Sequence, residues 1–322
     1  MRIKDIQAPI TKELELFEER FRESMHSSVP LLNRITRYVL KQKGKQMRPM
    51  FVFLSAGLCG GINDSTYRGA SLVELLHTAS LVHDDVVDNA NERRGFFSVN
   101  ALWKNKIAVL IGDFLLSKGM SLSVRHNDLN LLKVMSEAVE EMSEGELLQI
   151  EKARRLDIEE PIYFEIIRKK TASLIAACCA SGASSAGASP ERIGKMHLFG
   201  EKVGIAFQIK DDLFDFGTDD VGKPIGNDIK EKKMTLPLIF ALKMADRSEK
   251  RRIINLVKNH GETKEKVAEV VNFVRSGGGL AYAEQKMLQY QQEAFDMLGD
   301  FPENAYRSAL EQLVRFTTER KK

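Results

Sequence analysis

Leu72-Val73-Glu74-Leu75-Leu76-His77-Thr78-Ala79-Ser80-Leu81-Val82-His83-Asp84-Asp85-Val86-Val87-Asp88 is the stretch that decides the fold. Leu72, Leu75, Leu76, Ala79, Val82 and Val86 recur at the three- and four-residue intervals that line one face of an α-helix. The run closes on three aspartates, and the same close recurs in Asp211-Asp212-Leu213-Phe214-Asp215 after Val203, Ala206 and Phe207. In each cluster the first and last Asp stand at i and i+4 and project from one helix face, with the middle one about 100° round. Like charges at that spacing, set against the negative end of the helix dipole, cost on the order of 1 kcal/mol per cluster. One such cluster alone reads as a solvated helix end. Two copies, each inside an apolar helix pattern, call for a compensating cation. All-carboxylate ligation favours a hard ion, and Mg²⁺ takes a few carboxylates plus water and phosphate oxygens.

Working outward, the helical period returns in Leu131, Leu132, Met135, Val139 and Met142, while alternating strand-like runs are scarce. Pro30, Pro49, Pro161, Pro190, Pro224, Pro237 and Pro302 sit at apparent boundaries, and Gly60-Gly61 and Gly277-Gly278-Gly279 supply stops. No solenoid period and no long linker appears. The expectation is an all-α bundle, one domain over residues 1–322, with roughly ten to thirteen helices of ordinary length around a central cavity.

Composition narrows the class. With 322 residues, 43% of them hydrophobic, the chain can bury a full core. Three cysteines, Cys59, Cys178 and Cys179, cannot build a disulfide framework, and no apolar run follows Met1-Arg2-Ile3-Lys4-Asp5, so a cytoplasmic protein is expected. Thr171 to Pro190 is uncharged over the length of a membrane span. Its Ala, Ser, Gly, Cys and Thr content instead suits a tightly packed internal helix, with Cys178-Cys179 as packing residues. The net charge of +3 argues against a nucleic-acid partner. Basic groups are segregated into Lys43-Gly44-Lys45-Gln46-Met47-Arg48-Pro49, Arg93-Arg94, Lys169-Lys170-Thr171, Lys223 and Lys233. Taken singly these are solvated charges. Beside two metal-binding clusters they suggest two phosphate-rich ligands, one held through Mg²⁺ and one held directly by Lys, Arg and His77.

At this point the chain resembles the trans-type polyprenyl diphosphate synthases over nearly its whole length. The likeness runs through Gly44-Lys45 to Arg48-Pro49, His77, Asp84 to Asp88, Arg93-Arg94-Gly95, Gly112-Asp113, Gly145-Glu146 with Gln149, and Lys170-Thr171-Ala172. It continues with Gly204, Phe207-Gln208, Asp211-Asp212 to Asp215, Gly222-Lys223-Pro224, Gly226, Asp228, and Lys233 to Leu238. Departures are small: Lys43-Gly44 where Gly-Gly is common, Lys232 in place of Gly, Phe214 in place of Leu.

The resemblance implies that Asp84, Asp85, Asp88 and Asp211, with Asp212 and Asp215 close by, hold about three Mg²⁺ ions on an allylic diphosphate (geranyl, farnesyl or geranylgeranyl). Arg93, Lys170, Gln208 and Lys233 would contact that diphosphate, with Thr171 and Lys223 as further substrate-binding residues. Lys45, Arg48, His77 and Arg94 would hold isopentenyl diphosphate. The implied reaction is ionisation, condensation and elimination, without a protein nucleophile. A homodimer that delivers its product to a membrane, without being integral to it, is implied as well. Four and five residues before Asp84 stand Ser80 and Ala79, where short-chain members carry aromatic floors. With that floor missing and Leu76 the next turn down, each 5.4 Å turn cleared admits about one isoprene unit, so a product of roughly C30 to C50 for a quinone side chain is expected. The alternatives are a shorter product of roughly C20 to C25, a terpene cyclase, or a non-catalytic partner subunit.

Overall fold

The computed structural model describes residues 2–42, 44–93, 95–153, 156, 158–217 and 226–320. Helices α1 (Ile3–Gln7), α2 (Thr11–Ser24), α3 (Pro30–Lys41) and α4 (Met47–Cys59) lead into α5 (Asp64–Val87). A hairpin of β1 (Glu92–Arg93) and β2 (Phe96–Phe97) separates α5 from α6 (Val99–Arg125) and α7 (Leu129–Ala153). After α8 (Glu160–Ile167), a π-helical turn over Arg168–Ala172 runs into α9 (Ser173–Ser185), followed by α10 (Pro190–Phe214). The rest comprises α11 (Asn227–Lys230), α12 (Leu236–Met244), α13 (Arg247–Asn259), α14 (Lys264–Ser276), α15 (Gly279–Leu298) and α16 (Ala305–Glu319). The fold is all-α. Among the described residues, setting aside the single-turn α1 and α11 and joining α8 to α9, the tally of thirteen helices meets the upper end of the expected range.

Helix starts follow local chemistry. Pro30, Pro161, Pro190 and Pro237 lie in the first turns of α3, α8, α10 and α12, where a missing N–H leaves no intrahelical bond unmade. Asn63 and Thr66 form a reciprocal capping box that starts α5.

The uncharged segment is α9, and eleven of its residues are buried. It packs between α4, α5, α7 and α10. Its small side chains let α10 approach closely. A Cβ at Gly204 would stand 2.4 Å from the Cα of Ala172, and one at Gly200 would stand 2.6 Å from the Cα of Ala176. That approach sets the second aspartate cluster, on α10, beside the basic π turn that precedes α9.

Large fully buried side chains, among them Phe17, Phe51, Phe53 and Phe199, anchor one core around α4, α5, α9 and α16. Each is worth about 1.5–3 kcal/mol in area removed from water. A second core lies under α8 and α12–α14. Helices α10 and α15 run through both, through Phe199 and Ala206 in one case and Leu298 and Met287 in the other.

Candidate active site

A cavity of about 1000 Å³ opens beside the C-terminal end of α5. Helix α5 contributes His77, Ser80, Asp84 and Asp85 to its wall, and the start of α4 with the residues before it contributes Lys45 and Arg48. Arg93 enters from the hairpin, Lys170 and Thr171 from the π turn, and Phe207 from α10. Sequence positions spread over more than a hundred residues thus meet at one apolar space. A second cavity of about 180 Å³ adjoins it and is lined by Lys170, Thr171, Gln208, Asp212, Asp228 and Lys233. Lys170 and Thr171 belong to both walls because the π turn widens the helix at that point. Its ring closes through the N–H of Ser173 donating to the Arg168 carbonyl. Gly145 of α7 makes room for the turn, since a Cβ there would meet the Lys170 backbone nitrogen at 2.6 Å.

The cations of the site are held by carboxylates. Arg93 uses both Nε and Nη2 on Asp85 Oδ1 at 2.7 Å. Lys170 pairs with Glu146 and donates to Gln149 Oε1 at 3.4 Å. Lys233 pairs with Glu231 and lies 3.7 Å from Asp228. Burial works to lower the Lys233 ammonium pKa, but Glu231 and Asp228 outweigh it and raise it.

The two aspartate clusters are unlike each other. Asp84 faces the cavity, where desolvation and then the Glu146 charge raise its carboxyl above the ordinary range, against the pull of Lys170. Asp85 is buried and raised by desolvation, with Arg93 opposing. Asp88 caps the end of α5 through its N–H to the Asp84 carbonyl at 2.8 Å. On α10, Asp211 pairs with Arg320 at the far end of the chain. Asp212 is buried, with Tyr163 Oη donating to Oδ2 at 2.7 Å and Gln208 Nε2 donating to Oδ1 at 3.0 Å. Thr171 Oγ1 extends the chain by donating to Gln208 Oε1 at 2.9 Å. Burial, then the Asp228 charge, pushes Asp212 up to about 7. Asp215 accepts the backbone N–H groups of Asn227 (2.8 Å) and Asp228 (3.1 Å) at the start of α11, and burial with Asp228 raises it to about 6.

Both oxygens of Asp212 and both of Asp215 already serve protein donors, so they orient Gln208 and Tyr163 in one case and α11 in the other. Among the described residues no three acidic, His or Cys side chains stand close enough to form a complete ion cage. The donors fit an ion that draws the rest of its shell from phosphate and water. Of the residues expected to set product length, Ser80 is on the cavity wall, because an i−4 position shares the face of Asp84. Ala79 is fully buried against the α3–α6 side with Val82, Ile111 and Leu115, and Leu76 is buried in the main core. Arg94 and Lys223 lie outside the described residues. Tyr163, Glu231 and Arg320 carry no sequence signal as site residues: Tyr163 lies 49 positions from Asp212 and Arg320 lies 109 from Asp211.

The polyprenyl synthetase family matches residues 29–274. The chain is 37% identical over 320 residues to an all-trans-nonaprenyl-diphosphate synthase (geranyl-diphosphate specific) of Rhodobacter capsulatus, covering 98% of each. It is 36% identical over 328 residues to a short chain isoprenyl diphosphate synthase of Methanothermobacter thermautotrophicus, covering 99% of each. The crystal structure of a decaprenyl diphosphate synthase from Rhodobacter capsulatus superposes with a TM-score of 0.94 at 30% identity, covering all of both chains.

Proposed function

This chain belongs to the polyprenyl synthetase family, and from that premise we propose how its residues divide the work of a chain-elongating trans-prenyltransferase. The enzyme joins an allylic diphosphate to isopentenyl diphosphate and extends an all-trans chain. The observation that carries the division of labour is the meeting of Arg93, Lys170 and Asp84 at the rim of one apolar cavity that also contains Lys45, Arg48 and His77.

An allylic C–O bond ionises when the departing diphosphate is neutralised before it leaves. Arg93, Lys170 and Lys233 are each held by a carboxylate, so an arriving diphosphate exchanges partners with them rather than recruiting distant side chains. Gln208, fixed by Asp212 and Thr171, orients the same group. The carboxylates of Asp84, Asp88 and Asp211 suit Mg²⁺, about three ions in the resemblance, with the remaining ligands from phosphate and water. When bound, Mg²⁺ supplies Lewis-acid neutralisation of the leaving group. Lys45, Arg48 and His77 hold isopentenyl diphosphate so that its double bond faces the allylic cation, and that positioning is the main rate contribution of the second subsite. A terpene cyclase has no use for that second basic set on the same cavity. The test is incorporation of radiolabelled isopentenyl diphosphate with Mg²⁺ and each allylic primer. A ladder of acyclic products from the chain alone is expected, and cyclic products or no incorporation overturns the reading.

A medium-to-long product, roughly C30 to C50 at about one isoprene unit per helical turn, follows from the small Ser80 at the wall. Such a chain suits a quinone side chain, made by a cytoplasmic enzyme and handed to the membrane. Ser80→Phe projects a ring straight into the cavity and is expected to shorten products without lowering stability. Ala79→Phe must also displace packed neighbours, so shortening there comes with a loss of about 1–3 kcal/mol. Unchanged product length in both overturns the tunnel assignment.

A homodimer is proposed from α6, which is apolar enough by composition to span a membrane yet has only 33% of that window buried. Its outward Leu110, Met120 and Val124 are 53%, 46% and 58% exposed, an apolar face that a second copy would cover. Light scattering should give about twice the 36.3 kDa chain mass.

A further inference from the structure

One cation in the site comes from outside it. Arg320 stands one residue past the end of α16, lines the main cavity, and pairs with Asp211. Phe207 and Phe214 lie four residues before and three after Asp211, so ring, carboxylate and ring share one face of α10. The Arg320 guanidinium sits over both rings, 4.4 Å from the Phe207 centroid and 5.5 Å from that of Phe214. Its side chain is 17% exposed, and its Nε has no hydrogen-bond partner. One turn earlier on the same helix, Phe316 lies 5.1 Å from the Lys45 ammonium. The last turn of α16 therefore spans from the Lys45 side of the cavity to the second aspartate cluster.

We infer that Arg320 is a resident counter-cation of Asp211, and that a divalent ion reaches Asp211 only by displacing it. This rests on the reading of Asp211 as a metal-facing carboxylate. Arg93, Lys170 and Lys233, by contrast, are anchored on elements of the site itself: the hairpin, the π turn and the segment just before α12. Arg320 is beyond the helical backbone of α16, with an extended conformation (φ −58°, ψ 141°), so it can leave Asp211 without unwinding any helix. While it stays, the carboxylate is compensated and the aromatic slot is filled. Once displaced, its charge remains at the wall of the cavity that receives two diphosphates. The contact thus compensates the Asp211 charge in the resting enzyme and sets a threshold for metal loading.

The test is Mn²⁺ binding to the full chain in the presence of inorganic diphosphate, followed by electron paramagnetic resonance. Removing a charge-assisted competitor that is partly open to solvent should tighten Mn²⁺ binding by roughly 3- to 10-fold in Arg320→Gln. Arg320→Lys keeps the charge and should stay near the parent value. In an Asp211→Asn background, Arg320→Gln should change nothing. Equal or weaker Mn²⁺ binding in Arg320→Gln, with its melting temperature unchanged, overturns the inference. Arg320→Lys matching a tightened Arg320→Gln also overturns it, since charge would then not be the cause. Asp211→Asn binding Mn²⁺ as tightly as the parent would instead remove Asp211 from the metal site, and the inference with it.

Discussion

The two ends of α5 handle charge in opposite ways. At its N-terminus Asp64 is bonded by Arg20 at 2.7 Å, and that hydrogen bond holds its carboxyl below the ordinary range. Nearby, Arg68 grips Asp128 through two nitrogens while Ser65 Oγ donates to the same carboxylate at 2.7 Å. Burial works to raise Asp128, and the Arg68 and Ser65 hydrogen bonds overcome it and lower it. At the other end Asp84 and Asp85 are both raised, chiefly by desolvation. Acid at a helix N-terminus is also favoured by the dipole, and acid at a C-terminus opposed by it. One helix therefore has a base settled for stability and a mouth where burial outweighs the compensation that Arg93 and Lys170 give. That end faces the cavity, which is where an arriving cation and diphosphate add to the compensation.

The largest expected effect comes from the mouth. Asp84→Ala should lower turnover by on the order of 10³-fold at saturating substrate and Mg²⁺, while circular dichroism and unfolding midpoint stay unchanged. Near-normal turnover in the purified variant breaks the comparison, because the charge there would then have no function to justify its placement.

The base should answer in stability alone. The Arg68 and Asp128 side chains are 23% and 10% exposed, so Arg68→Ala leaves a mostly buried carboxylate without its main partner. A loss of about 2 kcal/mol in urea unfolding is expected, with activity per folded molecule unaltered. A loss of activity without loss of stability would tie this end to the chemistry and collapse the distinction.

Much of this division is visible in the residue order. The apolar pattern closes on Asp84 to Asp88 and on Asp211 to Asp215, and both helices end there, with Asp88 and Asp215 at the C-caps. The uncharged Ala/Ser/Gly segment is the internal helix its composition suggests. What spacing could not convey is which carboxylates accept hydrogen bonds from distant side chains. Asp212 resembles Asp211 in sequence, but a 100° step around α10 turns it inward to Tyr163, a partner 49 residues away. The same rotation separates Ser80, on the wall, from Ala79, behind it. The π turn at Lys170 lies tightly against Gly145, a contact between α7 and the segment ahead of α9 that no local pattern encodes.

A pH series sharpens the contrast, because the two kinds of aspartate contribute with opposite sign. Asp128 is lowered, so its stabilisation is present above its unfolded value near 3.8 and is lost as pH falls through the folded pKa. Asp212 and Asp215 are raised to about 7 and about 6, so the stability they favour is present below 3.8 and is lost as pH rises through those values. In metal-free buffer, Asp128→Asn should flatten the acid arm below pH 4. Asp212→Asn should flatten the loss between about pH 4 and 7, which runs at no more than about 1.4 kcal/mol per pH unit, since the amide can still accept from Gln208 and donate to Tyr163. If either variant alters the opposite arm, the assignment of the two arms is wrong.

The smallest effect is the most direct probe of the dipole argument. Asp88 is exposed at the C-cap of α5, where its charge meets the negative end of the helix and two neighbouring aspartates. Asp88→Asn removes that repulsion while keeping a side chain suited to the cap, and should stabilise the metal-free protein by about 0.5 kcal/mol at low ionic strength. Salt should erase the gain, since exposed charges are screened beyond about 10 Å at 0.1 M. Asp64→Asn at the other end of the same helix should go the other way, because it gives up both a favourable dipole interaction and the ion pair with Arg20. Helix polarity and the local charges, Arg20 at one end and two aspartates at the other, act together to give the two shifts opposite signs. Two shifts of the same sign would mean that local solvation, and not the direction of α5, decides where acid is tolerated.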